Sequence, residues 1–187
     1  MSVDSLLSQI RRSVLAVPPL ARRPDFSLNE SENRKLIDFL ISGGVRTLLY
    51  GGNANFYHVG PRDFRTILAF LSGAVPQDIW VIPSVGPAFG NLMDQAEVLK
   101  DFDYETVMVL PATFPLTQQA AELGLRKFCE VSGLKVVVYL KQEGYLAPAQ
   151  VSALVRDGLV SAIKNAVVRD DTATDHYLSE LVELVDL

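Results

Sequence analysis

The sequence predicts an α/β protein, built as an incomplete (β/α)8 TIM barrel of about six β/α units. Three observations lead to this fold class. Short apolar runs alternate strictly with longer helical patterns along the chain. The apolar runs are continuous, which is typical of strands buried on both faces of a parallel sheet. The units are nearly uniform in spacing and no Gly-x-Gly-x-x-Gly follows the first strand, so a barrel is favoured over an open doubly wound sheet.

The first two units show this pattern clearly. The apolar run 13–17 predicts a strand, and Pro18-Pro19 stops it. A helix is predicted over 29–42, because its apolar residues fall on one face and its first turn is acidic. The run 45–50 predicts the second strand. A helix over 61–71 follows, with proline in its first turn.

The third and fourth units repeat the order. The apolar run 79–82 predicts the third strand, and a helix is expected over 91–100. The β-branched run 106–110 predicts the fourth strand, which Pro111 stops. The helix over 117–131 completes this unit.

The last two units end at a lysine and a final helix. Valines dominate the fifth strand, 135–139, and a helix over 148–156 begins at a proline. The run 159–163 predicts the sixth strand. The final helix is expected over 171–185, with Asp170-Asp171 as its cap.

Composition indicates a single globular domain spanning residues 1–187. Hydrophobic residues make up 49% of the chain and charged residues 21%, with a net charge of -5. No basic stripe is present, so no nucleic-acid partner is expected, and no stretch is long enough to span a membrane. The single cysteine, Cys129, is interpreted as a buried helix residue and excludes a disulfide within the chain. A reducing, cytoplasmic setting is therefore expected.

Two units of the barrel are missing. A complete barrel has eight units and about 250 residues. Either the chain is a fragment of a longer product or another chain fills the gap, and we favour the fragment. The strands at 13–17 and 159–163 would then be apolar edges. We expect residues 1–187 alone to aggregate, to stay partly molten, or to associate through these edges, and we expect a homo-oligomer.

Candidate catalytic residues lie where the predicted strands end, because chemistry in a parallel barrel sits at the carboxyl ends of its strands. Lys164 is the most unusual, since it closes an apolar run, whereas most lysines lie on the surface. A desolvated lysine amine is a better nucleophile and forms a Schiff base with a ketone or 2-keto acid. The candidates at the strand ends are Asn53, Ser84, Thr113, Tyr139 and Lys164.

Tyr139 ends the strand before Lys164, so the two side chains are expected side by side. A phenol next to an imine-forming lysine can act as general acid and base. The alternative is a tyrosine that caps the core with its hydroxyl in water. The loop residues Phe56-Tyr57-His58 are interpreted either as walls of a substrate pocket or as ordinary loop aromatics. His58 and His176 show no paired metal spacing.

These residues resemble the dihydrodipicolinate synthase and N-acetylneuraminate lyase family. Ala162-Ile163-Lys164-Asn165 is similar to the family's Gly-Ile-Lys-(Asp or Glu), and Tyr139 falls where its tyrosine lies. Upstream, Leu15 to Pro19 is similar to the family's first strand, which in the family ends in Thr-Pro-Phe. The likeness runs from about Val14 to Asp170 and extends to Asp25, Leu40 to Val45, Val85-Gly86 and Leu110-Pro111.

The chain also departs from the family. The family's Gly-Thr-Thr-Gly-Glu loop, whose threonines hold the carboxylate of the keto acid, is replaced by Gly51-Gly52-Asn53-Ala54-Asn55. The resemblance therefore implies that Gly52 and Asn53 bind this carboxylate, although the relay threonine has become Gly52. Ala112 and Thr113 replace two tyrosines of the synthase branch. The arginine of the synthase after the tyrosine is absent near Tyr139.

The resemblance implies a Schiff-base lyase or aldolase that acts on a 2-keto acid such as pyruvate, without metal or organic cofactor. The catalytic pair would be Lys164 and Tyr139. True dihydrodipicolinate synthase activity is not expected, because the relay residues differ. The alternative is a catalytically impaired paralogue or fragment that acts as a non-enzymatic partner.

Overall fold

The computed structural model describes residues 8–112, 115–171 and 173–185. Its six strands form one sheet in the order β1-β2-β3-β4-β5-β6, and every neighbouring pair is parallel. Helices connect consecutive strands, with one unit following the next along the sheet. The predicted arrangement of six β/α units of a (β/α)8 barrel is therefore confirmed.

The strands match the predicted runs with shifted ends. They are β1 (Leu15–Ala16), β2 (Thr47–Tyr50), β3 (Trp80–Val85), β4 (Thr106–Val109), β5 (Lys135–Leu140) and β6 (Val160–Asn165). The first strand is shorter than predicted, and the third is longer because Pro83 and Ser84 continue its extended backbone. A register shift between Val136 and Val137 adjusts the pairing of β5 with β6.

The helices also follow the predicted order. They are α1 (Glu30–Ser42), α2 (Pro61–Ala74), α3 (Phe89–Leu99), α4 (Gln118–Ser132), α5 (Pro148–Arg156) and α6 (His176–Val185). Two 3-10 turns after β2, Gly52–Ala54 and Phe56–His58, were not predicted. They are too short to give a periodic apolar pattern.

The predicted cap of the last helix was wrong. Asp171 accepts hydrogen bonds from Ala173 and Thr174, which close a local turn before the helix. The helix begins at His176, and Asp175 caps it by accepting a hydrogen bond from the backbone N–H of Leu178 at 2.9 Å. Both segments are acidic, so the sequence alone did not separate the turn from the cap.

The core lies on both faces of the middle strands. All residues of β2 and β4 are buried, and the helices cover the outer face with large apolar side chains. Trp80 on β3 is 7% exposed and belongs to this core. Cys129 is buried on α4 as predicted, and burial raises the pKa of its thiol to about 11.

The two outer strands are less covered. Within the described ranges, β1 pairs with β2 alone and β6 pairs with β5 alone, so the sheet has two edges. Both residues of β1 are half-buried, and β6 is half-buried up to Lys164. Val14, beside β1, is 74% exposed, and Val168, beyond β6, is 94% exposed. Across the described residues, no helix is both long and apolar enough to cross a bilayer.

Candidate active site

Tyr139 and Lys164 lie side by side at the carboxyl ends of β5 and β6. The two residues are direct partners in the parallel register. Because side chains opposite each other on adjacent strands point to the same face, both project on the same side of the sheet. The ammonium nitrogen of Lys164 lies 3.7 Å from the centroid of the Tyr139 ring, over its face. This cation–π contact holds the lysine head group against the phenol.

The apolar residues around Lys164 in the sequence predicted a more buried side chain than the structure shows. Its side chain is half-buried, because β6 has no strand on its outer side within the described residues. Lys164 makes no ion pair with any described residue. Its ammonium group therefore contacts the ring of Tyr139 and no carboxylate of the described residues.

The segment after β6 is held by a charged cluster. Arg169 pairs with Glu143 and with Asp175, at 2.9 Å in the second case, and Asn165 donates to Asp175 at 3.4 Å. The hydrogen bond from Arg169, followed by that from the backbone N–H of Leu178, lowers the pKa of Asp175 to about 2. These contacts fasten the chain on both sides of Arg169 to the end of β6, directly beside Lys164.

The loop after β2 lies at the same edge of the sheet. Gly51 leaves no room for a side chain, because a Cβ there would lie 2.8 Å from Cε of Met108 and 3.2 Å from Oγ of Ser84. Asn53 is exposed, and its amide donates to the backbone oxygen of Val17 at 3.3 Å. Asn53 thus ties this loop to the chain just after β1. Its predicted role in binding the substrate carboxylate stays a prediction.

Tyr57 contacts residues just beyond the ends of three strands, β2, β4 and β5. A Cβ on Gly52 would lie 3.6 Å from Cε2 of Tyr57, and the Tyr57 hydroxyl donates to the backbone oxygen of Pro111 at 3.4 Å. The ammonium of Lys141, just beyond β5, lies 5.9 Å from the centroid of the Tyr57 ring. Burial, and then the charge of Tyr139, raise the pKa of Tyr57. The sequence indicated only a pocket wall here, since it did not give the 3-10 turn that carries the ring.

The remaining predicted candidates are more scattered. Ser84 is fully buried beside Gly51, and its hydroxyl has no hydrogen-bond partner among the described residues. Thr113 lies outside the described residues. His58 and His176 are both exposed. Among the described residues, no group of three or more His, Cys, Asp or Glu side chains is placed to hold a metal ion.

Several solved structures share the fold of this chain. No protein-family model matches the chain, and no curated protein matches it. Solved structures do match, and several of them are described as an aldolase, a lyase or a synthase. The structures named below are at or below 20% identical to this chain, so they establish the fold alone.

Three of these structures illustrate the match. A prophage protein of the dihydrodipicolinic acid synthase family from E. coli K12, in complex with pyruvate, has 20% identity and a TM-score of 0.73. Dihydrodipicolinate synthase from Oceanobacillus iheyensis has 16% identity and a TM-score of 0.75. A 2-keto 3-deoxygluconate aldolase from Picrophilus torridus has 16% identity and a TM-score of 0.73.

The match covers most of this chain but only part of the other chains. In all three comparisons 91% of this chain is covered, against 58%, 55% and 61% of the solved chains in the order given. The chain thus spans less than two thirds of the length of the structures that it matches.

Proposed function

We propose that this chain is a Schiff-base-forming lyase or aldolase of the dihydrodipicolinate synthase and N-acetylneuraminate lyase family, acting on a 2-keto acid such as pyruvate. The single observation that carries the proposal is the contact between Lys164 and Tyr139 at neighbouring strand ends. An amine nucleophile and a phenol proton carrier are the two groups that imine chemistry needs most.

Lys164 supplies the covalent step. Its neutral amine attacks the ketone carbon of the keto acid, and the carbonyl oxygen leaves as water after two proton transfers. The resulting iminium draws electrons from the neighbouring carbon, which loses a proton and becomes an enamine. The enamine carbon then forms a bond to an aldehyde, or the reverse sequence cleaves that bond. We assign these proton transfers to Tyr139, because its ring lies against the lysine head group.

Gly52 and Asn53 are proposed to bind the substrate carboxylate. Their support is position, because the loop after β2 lies at the same edge of the sheet as Lys164. Glycine permits close approach of the backbone to an anion, and an amide side chain can donate a hydrogen bond. The side-chain amide of Asn53 has to release Val17 before it can turn to a substrate.

The comparisons support the substrate class. One of the solved structures with this fold is described as a complex with pyruvate, and others are described as aldolases or lyases of keto acids and sialic acids. We propose a cytoplasmic homo-oligomer of the single domain 1–187 that uses no metal or organic cofactor. True dihydrodipicolinate synthase activity is not proposed, because Gly52 has no hydroxyl for the family's proton relay.

Hydrogen exchange on pyruvate tests the proposal. The wild-type chain should replace the methyl protons of pyruvate with deuterium from D2O, which proton NMR follows over time. Lys164→Arg should abolish this exchange while keeping the positive charge over Tyr139. Exchange that persists in Lys164→Arg, or that the wild type does not catalyse with any 2-keto acid, contradicts the proposal.

The second candidate function is that of a catalytically impaired paralogue or a fragment that acts as a non-enzymatic partner. The two edges of the sheet favour it, since apolar edge strands pair readily with other chains. The same exchange experiment separates the two functions, because a non-enzymatic partner leaves the pyruvate methyl group unlabelled.

A further inference from the structure

We propose that Arg169 is a positioning residue of the active site, which holds the ends of β5 and β6 together and so keeps Lys164 against Tyr139. It acts through its ion pairs with Glu143 and Asp175 rather than on the substrate. The inference rests on the proposed Schiff-base function and adds to it a residue that lies on neither strand.

The end of β6 needs support from outside the sheet. β6 pairs with β5 alone among the described residues, and it is half-buried up to Lys164. Just beyond, the backbone N–H of Ala166 donates to the backbone oxygen of Leu140 at 2.8 Å. A strand with one neighbour opens locally at less cost than a strand held on both sides. The distance of 3.7 Å between Nζ of Lys164 and the ring of Tyr139 therefore depends on what else holds this strand end.

The charged cluster joins the two strand ends. Glu143 lies in the loop after β5 and pairs with Arg169. Asn165 is the last residue of β6, directly after the lysine, and its side-chain amide donates to Oδ2 of Asp175 at 3.4 Å. Nε of Arg169 lies 2.9 Å from the same carboxylate oxygen. Arg169 thus closes a path of side chains from the end of β5 to the end of β6.

The inner part of the cluster is shielded from solvent. The side chains of Arg169 and Asp175 are 18% and 17% exposed. Every other ion pair among the described residues has a side chain that is 31% or more exposed. Because water and salt screen a shielded pair less, this pair constrains its two side chains more than an exposed pair would. Glu143 is 70% exposed, so its ion pair is the weaker of the two.

Asp175 also fixes the cluster to α6. Its carboxylate accepts a hydrogen bond from the backbone N–H of Leu178 at 2.9 Å, in the first turn of the helix. The hydroxyl of Tyr177, on the same helix, donates to the backbone oxygen of Leu146 at 2.8 Å, in the segment between β5 and α5. The helix is therefore fastened to the chain after β5 by a contact that does not pass through β6. Arg169 transmits this support to the strand end.

Deuterium exchange into pyruvate tests this role. Arg169→Gln should slow exchange by roughly tenfold, since a misplacement of about 1 Å can cost about 10²-fold in rate. Each rate is taken at the plateau of its own pH profile, so that a change of charge near Lys164 does not contribute. Arg126→Gln is the matched control and should exchange at the wild-type rate. Arg126 also bridges two carboxylates, Glu122 and Asp157, but Asp157 precedes β6, at the amino end of the strand.

A double-variant cycle separates positioning from a general loss of structure. If Arg169 acts through the contact between Lys164 and Tyr139, Arg169→Gln should slow exchange much less in a Tyr139→Phe chain than in the wild type. A loss of folded protein would slow both chains by the same factor, and near-ultraviolet circular dichroism reports the folded fraction. Glu143→Gln breaks only the exposed ion pair, so it should slow exchange by a smaller factor with the fold intact.

The outcomes distinguish this inference from the proposed function. Equal slowing in the wild-type and Tyr139→Phe chains overturns the role of Arg169 while the proposed function stands. Wild-type exchange in folded Arg169→Gln does the same, and Glu143→Gln decides in the same two ways if Arg169→Gln does not fold. If the wild type does not exchange the methyl protons of pyruvate, the proposed function itself fails, and this inference fails with it.

Discussion

The middle strands and the outer strands of this sheet differ sharply in how they are supported. β2 and β4 are buried at every residue, whereas β1 and β6 are half-buried, with one neighbouring strand each among the described residues. The outer strands nevertheless carry two of the proposed functional contacts. Lys164 lies on β6, and Asn53 is fastened to Val17 just beyond β1. The chemistry thus depends on the parts of the sheet that are packed least.

Tyr139 lies at the boundary between the two regions and links them. β5 is buried along most of its length and pairs with β4 on one side and with β6 on the other. The Tyr139 ring is therefore anchored by the core while it holds the lysine of the outer strand. Substitutions in the contact between Tyr139 and Lys164 should lower catalysis. Substitutions in the buried middle strands should lower stability.

The largest effect is expected on catalysis at the boundary. Tyr139→Phe should lower the rate of pyruvate exchange by about 10²–10⁴-fold, the usual scale of general acid–base catalysis. Because the ring remains, the fold should be intact and Lys164 should still lie over an aromatic face. The rate is measured by NMR, and near-ultraviolet circular dichroism reports the fold. An unchanged rate would show that the tyrosine is only structural.

The next largest effect is expected on stability, and it tests the difference in packing between the middle and the outer strands. Ile82→Ala on β3 removes a side chain that is 1% exposed, and it should lower the free energy of unfolding by about 2–5 kcal/mol. Ile163→Ala is the matched substitution on the half-buried β6, and its cost should be clearly smaller. Urea unfolding of both variants gives the two values. Equal losses would mean that β6 is covered as tightly as β3 in solution.

A smaller effect is expected on substrate binding at Asn53, whose side chain is bonded to the chain just after β1. Asn53→Ala should weaken binding of the keto acid by about tenfold, the equivalent of one hydrogen bond. Since Asn53 is exposed, the melting temperature should change little. The apparent dissociation constant is measured by calorimetry, with Asn55→Gly as a control at another exposed residue of the same loop, because glycine tolerates the left-handed backbone of residue 55. Wild-type affinity in Asn53→Ala would mean that the carboxylate is bound elsewhere.

The smallest effect concerns the charged cluster beyond β6. The pKa of Asp175 is about 2, below the value of about 3.9 for an unfolded chain, so its ionised form stabilises the folded state. This contribution is complete above pH 4 and is lost as the pH falls toward 2. Asp175→Asn should be less stable than the wild type near neutral pH, and this difference should shrink across that range. Asp94→Asn, at an exposed carboxylate on α3, is the control substitution.

The sequence predicted those features that follow from local patterns. Alternating apolar runs gave the six parallel strands, and the order of neighbouring strands brought Tyr139 beside Lys164. The position of Tyr57 was not predictable, because a short 3-10 turn has no periodicity and its ring contacts residues far along the chain. The exposure of Lys164 also escaped prediction. An apolar run signals a buried strand, but its coverage depends on which strands lie next to it.

Reductive trapping of the imine tests the role of Lys164 as the Schiff-base residue. The protein, once near-ultraviolet circular dichroism has shown that it is folded, is incubated with pyruvate and sodium borohydride, digested and analysed by mass spectrometry, with Lys164→Arg in parallel. A reduced pyruvate adduct is expected on the peptide that contains Lys164, and no adduct is expected in the variant. An adduct on another lysine, or none with any 2-keto acid, would contradict the assignment of Lys164 as the Schiff-base residue.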